Sequence, residues 1–128
     1  MAIGPARGYA GSVSAGLNSM KAELRRYDGT RAVPARTGTA TTSRTLAKCV
    51  GRYTASSGLL QLKVNAQPEE TAPAGGDSSG WDVISIGMGL APEEPFDGFF
   101  FELMLFGRAV SDAERDGLLA YATRKWGN

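Results

Sequence analysis

Large apolar side chains are unevenly distributed along this chain of 128 residues, and their distribution limits how it can fold. The first 45 residues contain only five large aliphatic residues, namely Ile3, Val13, Leu17, Leu24 and Val33. So few side chains cannot bury enough surface to offset the conformational entropy that is lost on folding. We therefore predict that residues 1–45 are Gly- and Ala-rich strands and loops completed or held by a partner. Residues 46–128 are expected to form the core of a single domain.

The clearest strand pattern is a hairpin over residues 45–65. Two apolar stretches, TLAKCVGRY and LLQLKVN, are separated by TASSG, which is typical of two strands joined by a turn. Leu60, Leu62 and Val64 alternate with polar residues, so the second strand is expected to bury one face and expose the other. Further upstream, KAELRRYDGT indicates a short strand, and TRAVPARTGTATTSR indicates either a basic loop or an edge strand interrupted by Pro34.

Residues 66–80, AQPEETAPAGGDSSG, are predicted to be a long loop, and loops of this length often carry binding residues. The candidate ligand-binding residues are Trp81, Asp82 and Asp77, because an indole ring can stack on a sugar. For Trp81 we favour the alternative that it is a rim residue that seals the core. The acids Glu69, Glu70, Asp77, Asp82, Glu93 and Glu94 could hold calcium, but they lack EF-hand spacing, and a solvated acidic loop without a cofactor is favoured.

The C-terminal residues predict one short amphipathic helix. Ser111 and Glu114 have the spacing of a capping box, in which each side chain accepts a hydrogen bond from the backbone of the other residue. Leu118, Ala122 and Trp126 then recur at four-residue intervals, which is the helical period. Gly127 is a suitable stop.

Charge is divided between the two halves of the chain. Residues 1–63 carry ten Lys or Arg against two Asp or Glu, whereas residues 64–128 carry four against eleven. This separation is typical of complementary pairing, either between strands of one fold or head to tail between copies. It argues against nucleic-acid binding, because an exposed acidic half repels phosphate.

The residue types exclude several kinds of site. The chain has no histidine and one cysteine, Cys49, so His/Cys zinc sites, His-based nucleophile triads and an internal disulfide are excluded. The first residues, MAIGPARGYAGSVSAG, lack the pattern of a signal peptide, and no apolar run has the length of a membrane-spanning helix. We therefore predict a soluble protein that assembles in the cytoplasm, with no membrane insertion.

Within the sequence DGFFFELMLFGR, residues 97–108, a single acid, Glu102, lies in the apolar run of residues 98–106. A carboxyl group in apolar surroundings can have a raised pKa, which suits a general acid. A glycosidase needs a second carboxylate roughly 5–9.5 Å away, however, and no acid lies two or four residues from Glu102. We therefore predict that Glu102 is a structural anchor on a strand that is covered on both sides. Phe99 and Phe101, on one face of that strand, are candidate interface residues.

Residues 95–127 resemble the C-terminal end of the laminin-G-like branch of the concanavalin A-like lectin and glucanase superfamily. The resemblance rests on an aromatic residue with Gly98, then Glu102, Leu103, Leu105 and Phe106, Arg108-Ala109-Val110, Ser111, Glu114-Arg115, Tyr121 and Lys125-Trp126-Gly127. It implies an all-β fold, an antiparallel jelly-roll-like β-sandwich with one short C-terminal α-helix. Glu102, Ser111, Glu114 and Trp126 are then structural residues.

The same resemblance implies binding of glycans or proteins without catalysis, because the E-x-D-x-x-E pattern of the family's hydrolases is absent. We expect a non-enzymatic, lectin-like interaction module. Its expected role is as a structural or decorating component of a larger particle, such as a phage capsid or tail, that exposes loops for host-surface glycan attachment. Its partners would be other subunits or further copies of itself. The alternatives are a free-standing carbohydrate-binding or adhesion module and, third, a relative of the glycoside hydrolases.

Overall fold

The computed structural model describes residues 46–73 and 99–127 in full, together with the backbone of five short strands between residues 2 and 85. In chain order the elements are β1 (Ala2–Gly4), β2 (Val13–Leu17), β3 (Ala22–Tyr27), β4 (Ala32–Arg36), β5 (Cys49–Thr54), β6 (Leu59–Val64), β7 (Glu70–Pro73), β8 (Val83–Ser85) and α1 (Asp112–Trp126).

The strands before residue 45 belong to one antiparallel sheet whose order is β4-β3-β2-β1-β8. β3 confirms the strand predicted in KAELRRYDGT. β4 lies at the edge of the sheet and contains Pro34, whose position is paired with Arg25 of β3. Proline cannot donate a ladder hydrogen bond and is therefore tolerated at an edge, so the edge-strand alternative is correct for residues 32–36, and the rest of the predicted segment lies outside the described residues.

The second sheet has the order β5-β6-β7 and is antiparallel throughout. Its first two strands are the predicted hairpin, closed by a turn in which the Gly58 N–H donates to the Ala55 carbonyl oxygen at 3.2 Å. Gly58 has a φ of 59°, a left-handed conformation that glycine adopts without steric strain. Leu60, Leu62 and Val64 are buried and alternate with half-buried residues, which confirms the predicted inner face of β6.

β7 occupies part of the segment that we predicted to be a loop. Residues 70–73 pair with β6, with Gln61 opposite Thr71 and Leu62 opposite Glu70. The prediction that all of residues 66–80 form a loop is therefore wrong. Acids and prolines discourage strands, but here β6 offers an open edge immediately after a tight turn, and pairing with it satisfies backbone groups on both strands.

The predicted C-terminal helix is confirmed as α1, and its capping box is present at Ser111 and Glu114. At the other end, Gly127 has a φ of 79° and its N–H donates to the Thr123 carbonyl oxygen at 3.0 Å. The helix contacts β5, and the Lys48 ammonium, just before β5, donates to the Thr123 hydroxyl at 3.0 Å. The structure describes every residue of α1, and none of them is fully buried. Polar contacts therefore contribute much of the attachment of α1 to the sheet.

We expect Gly117→Ala, in the middle of α1, to raise the free energy of unfolding by about 0.5–1 kcal/mol, because alanine has the higher helix propensity. A β-carbon at Gly117 would have nothing within 4 Å, so no clash opposes the gain. Gly127→Ala is the matched control: its space is equally open, but its φ of 79° strains any other residue, and we expect a loss. Urea unfolding followed by helix ellipticity measures both. A gain at both positions, or at neither, would contradict the prediction.

The prediction of a jelly-roll-like β-sandwich was wrong. The fully described part of the chain is a three-stranded antiparallel sheet with one C-terminal helix. Among the described strands, every ladder except that of β1 with β8 joins neighbours in sequence, whereas a jelly roll is built from Greek keys. The physical reason is that short turns such as residues 55–58 close small loops, and small loops lose the least entropy.

The predicted strand around Glu102 was also wrong. Residues 99–110, all of them described, contain no strand, and residues 99–106 are exposed throughout. Aromatic and aliphatic residues favour strands only where a neighbouring strand and a covering layer are present. Here hydrogen bonds to α1 hold the segment at Glu102 instead, so it is neither paired in a sheet nor covered on both sides.

Candidate functional site

An ion-pair network, which we call the arginine network, joins the three-stranded sheet to the start of α1. It consists of Arg52 on β5, Glu69 before β7, and Asp112 and Arg115 on α1. Arg52 is buried, with 6% of its surface exposed. Its guanidinium donates to both Glu69 carboxylate oxygens, at 2.6 and 2.7 Å, and to the Asp112 carboxylate at 2.6 Å. It also donates to the Val110 carbonyl oxygen at 3.1 Å. One side chain therefore links segments that are far apart in sequence.

Arg115 completes the arginine network from the helix side. Its guanidinium lies 3.0 Å from Glu69 and 3.3 Å from Asp112. A further hydrogen bond from Arg115 to Asp116, at 2.8 Å, raises the pKa of Arg115 and lowers the pKa of Asp116. Each buried or half-buried charge has an opposite charge beside it, so the network is suited to holding the helix on the sheet.

Sequence reasoning missed the arginine network. Glu69 was assigned to a solvated acidic loop, yet its side chain is only 16% exposed and accepts from Arg52 and from Gln61. Arg52 is 17 residues from Glu69 and 60 residues from Asp112 along the chain. The one available signal was the excess of basic residues in the first half and acidic residues in the second, which indicated pairing but not which residues pair.

Glu102 forms the second cluster, on the C-terminal half of α1. Its carboxylate accepts hydrogen bonds from Trp126 Nε1 at 3.0 Å, Tyr121 Oη at 3.1 Å and Lys125 Nζ at 3.3 Å. These bonds lower the pKa of Glu102, and the bond from Trp126 lowers it most. The Lys125 ammonium also lies 5.3 and 5.1 Å from the ring centroids of Tyr121 and Trp126. A lowered pKa is the opposite of what a general acid requires.

A third cluster surrounds the N-terminus of α1. The Glu114 carboxylate accepts from the Ser111 N–H at 2.7 Å, and the Ser111 hydroxyl accepts from the Glu114 N–H at 3.2 Å. Arg108 donates to both Glu114 carboxylate oxygens, at 2.9 and 2.5 Å. The Arg108 bonds, followed by the bond from the Ser111 backbone, lower the pKa of Glu114 from 4.5 to about 2. The capping box is thereby coupled to the chain that leads into the helix.

This lowered pKa predicts a pH dependence. Because folding depresses the pKa of Glu114, its stabilising contribution is complete above about pH 4.5 and is lost as pH falls towards 2. We expect Glu114→Gln to be less stable than the natural chain at pH 7, and the difference to shrink between pH 4.5 and 2. Urea unfolding of both chains at several pH values measures it. A difference that stays constant down to pH 2 would contradict the prediction.

The most unusual surface of the described chain is apolar. All the exposed large apolar residues of the described part lie in residues 99–106 or at Trp126, with exposed fractions from 38% to 88%. They are Phe99, Phe100, Phe101, Leu103, Met104, Leu105, Phe106 and Trp126. We call this set the apolar surface. It includes both residues predicted as an interface, Phe99 and Phe101.

The apolar surface is attached to α1 in a defined way. The rings of Phe101 and Trp126 lie 5.4 Å apart between centroids and are tilted by 56°, a favourable geometry for an aromatic pair. Next to this pair, Trp126 donates to Glu102. A hydrogen bond and a ring contact therefore fix the middle of the segment against the end of the helix.

The predicted ligand-binding residues Trp81, Asp82 and Asp77 lie outside the described residues, as do Glu93 and Glu94. Within the described part of the chain, no group of three or more Cys, Asp or Glu residues is arranged to hold a metal ion. Cys49 is free and exposed. Ligand binding by Trp81, Asp82 and Asp77 thus stays a prediction, as does the preference for a solvated acidic loop without a cofactor over calcium binding.

Compared with protein-family models, curated proteins and solved structures, the chain has no match. Among the helices of the described residues, none combines the length and the apolar character needed to cross a membrane. A function must therefore be inferred from the chain's own residues, and the resemblance to laminin-G-like proteins stays a prediction.

Proposed function

We propose that this chain is a non-catalytic structural subunit that assembles with other protein subunits through the apolar surface. The observation that carries the proposal is the exposure of eight large apolar side chains, seven of them within residues 99–106. Phe99, the most exposed, is 88% accessible. Side chains of this kind are often buried in cores, and so many exposed within eight consecutive residues and at Trp126 support a role in binding another protein.

The size of the apolar surface supports an interaction role. Eight side chains of roughly 200 Å² each, about half exposed, present on the order of 800 Å². The largest apolar patch on an ordinary monomeric protein covers only about 300–600 Å². The summed exposure of residues 99–106 and Trp126 lies above that range, which supports a protein–protein contact.

Glu102 supports the non-catalytic part of the proposal. Its carboxylate is held by Trp126, Tyr121 and Lys125, and these bonds lower its pKa. A lowered pKa keeps the group charged at neutral pH, where it cannot donate a proton to a leaving group. Its position beside Phe101 instead makes it the residue that orients the apolar surface.

Native mass spectrometry of the chain isolated gently from the cells that make it tests the proposal. We expect it to be recovered in a complex with protein subunits. The double variant Phe99→Ser/Phe106→Ser should be recovered alone, because it removes two exposed rings from the apolar surface. The matched control is Arg124→Ser, at an exposed helix position outside that surface, and it should keep the complex.

Recovery of the natural chain as a folded monomer would overturn the proposal. So would a complex that survives the double variant unchanged, since the apolar surface would then not be the contact. The narrower prediction, a particle such as a phage capsid or tail with loops that attach to glycans, requires identification of the co-purifying subunits.

A further inference from the structure

The distribution of apolar residues indicates what covers the apolar surface. In the part of the chain that the structure describes, every exposed large apolar residue belongs to this one surface. A head-to-tail contact between copies needs a second, different surface of complementary character, whereas a twofold contact uses the same surface on both partners. A twofold pair therefore needs no second apolar surface on either partner.

The area also fits such a pair. A standard specific interface buries about 800 Å² on each partner. The apolar surface presents on the order of 800 Å², from eight half-exposed side chains of roughly 200 Å² each. Two copies that face one another would thus reach the size of a stable interface without further contacts.

The segment that carries the apolar surface has no net charge. Residues 99–127 contain four acids and four bases, among them Glu102 beside Lys125 and Glu114 beside Arg108. When a surface meets its own copy, an excess of either sign would repel, and here there is none. A lipid surface, by contrast, favours a segment rich in Lys and Arg, and residues 99–127 have no excess of them over acids.

The chemistry of the surface favours protein over sugar as the occupant. Five of the eight side chains are aromatic, and the other three are Leu103, Met104 and Leu105. Sugar rings stack on aromatic faces and are bound through polar groups beside them, but here the neighbouring polar groups, Glu102 and Lys125, are bonded to one another. Aliphatic side chains and methionine interleaved with phenylalanine are instead typical of the buried centre of a protein interface.

The surface is also held in place before any partner arrives. Glu102 accepts from three donors on α1, and Phe101 packs against Trp126. Side chains that are already positioned lose less conformational entropy on binding. This arrangement suits docking onto a second rigid copy.

We infer that the apolar surface of one chain packs against the apolar surface of a second copy, related to it by a twofold axis. The inference rests on the proposed function and names its partner. In the dimer, residues 99–106 and Trp126 of both chains form a shared core, and the Glu102 clusters orient that core from the helix side.

Sedimentation equilibrium of the purified full chain over a wide concentration range tests the inference. We expect a reversible dimer. Phe99→Asp should weaken dimerisation at least about 30-fold, because it removes the most exposed ring of the apolar surface and places a carboxylate in each half of the interface. Ser56→Asp, which adds the same charge in the exposed turn between β5 and β6, is the matched control and should leave the association unchanged.

Folding of Phe99→Asp is checked by helix ellipticity and by the urea midpoint at a concentration where both chains are monomeric. Because Phe99 is 88% exposed, the fold should be unaffected. If the variant nevertheless unfolds, Phe106→Asp takes its place with the same expected loss. A variant that is folded and dimerises as tightly as the natural chain would overturn the inference.

A natural chain that stays monomeric at every concentration would also overturn the inference. The proposed function then stands or fails separately. If the monomer binds the dye 1-anilinonaphthalene-8-sulfonate and loses that binding in Phe99→Asp, the surface is accessible and awaits a different subunit. If the monomer does not bind the dye, the surface is covered within the chain, and the proposed function fails as well.

Discussion

Arg52→Ala is expected to lower the free energy of unfolding by about 3 kcal/mol, the lower end of the range for breaking a buried ion pair. Arg52 is 6% exposed and contacts Glu69, Asp112 and the Val110 carbonyl oxygen. Its removal leaves Glu69, which is largely buried, without its bidentate partner. Arg115 remains 3.0 Å from Glu69 and limits the loss, which is why we expect the lower end.

Urea unfolding, followed by ellipticity, measures this loss. Arg108→Ala is the matched control, because Arg108 also forms a bidentate pair with a carboxylate, Glu114, but at an exposed site. Exposed pairs contribute little, since water solvates both charges, and the control should lose much less stability. Equal losses in the two variants would show that burial of Arg52 is not what gives the arginine network its effect.

A double-mutant cycle adds a second check on the same pair. If Arg52 and Glu69 stabilise the fold through each other, Arg52→Ala combined with Glu69→Gln should cost clearly less than the sum of the single changes. Additive losses would mean that each residue acts through other neighbours. The cycle thereby separates the Arg52–Glu69 contact from the bonds that Arg52 makes to Asp112 and Val110.

Leu60→Ala is expected to lower the free energy of unfolding by about 3 kcal/mol, a typical loss for a large-to-small change in a core. Leu60 is 0% exposed and is the largest fully buried side chain of the described residues. The change removes apolar contacts and leaves a cavity beside β6, whose backbone is held in place by pairing with β5 and β7.

The matched control for Leu60 is Leu105→Ala, the same chemical change at a residue that is 43% exposed. We expect a loss of less than about 0.5 kcal/mol for the monomer, as is usual at surface positions. Both variants are measured by urea unfolding at a concentration below that at which the chains associate. A large loss at Leu105 would mean that residues 99–106 pack into the fold.

Local patterns predicted a good part of this structure. The β5–β6 hairpin was visible because Leu60, Leu62 and Val64 recur with the period of a strand and a Gly-containing turn precedes them. The helix was visible because Ser111 and Glu114 have capping-box spacing and Gly127 follows its last turn. Each of these features depends on residues within a few positions of one another, so the sequence alone contains the required information.

The candidate sites were predicted less well. Glu102 was read as an anchor, but on a strand, whereas it is bonded to residues 19, 23 and 24 positions later on α1. Phe99 and Phe101 were predicted as interface residues on a strand covered from both sides, yet the whole segment is exposed. The pattern of residues 97–108 is equally suited to a buried strand and to an exposed binding segment, and it cannot distinguish them.

What the sequence determined by itself was therefore local: the period of β6, the turn before it and the two ends of α1. The tertiary structure decided the rest. It brought Arg52 to Glu69 and Asp112 across 17 and 60 residues, placed β7 on the open edge of β6, and left residues 99–106 uncovered. The physical reason is that burial and ion pairing depend on which segments meet in space, and short-range periodicity does not specify those meetings.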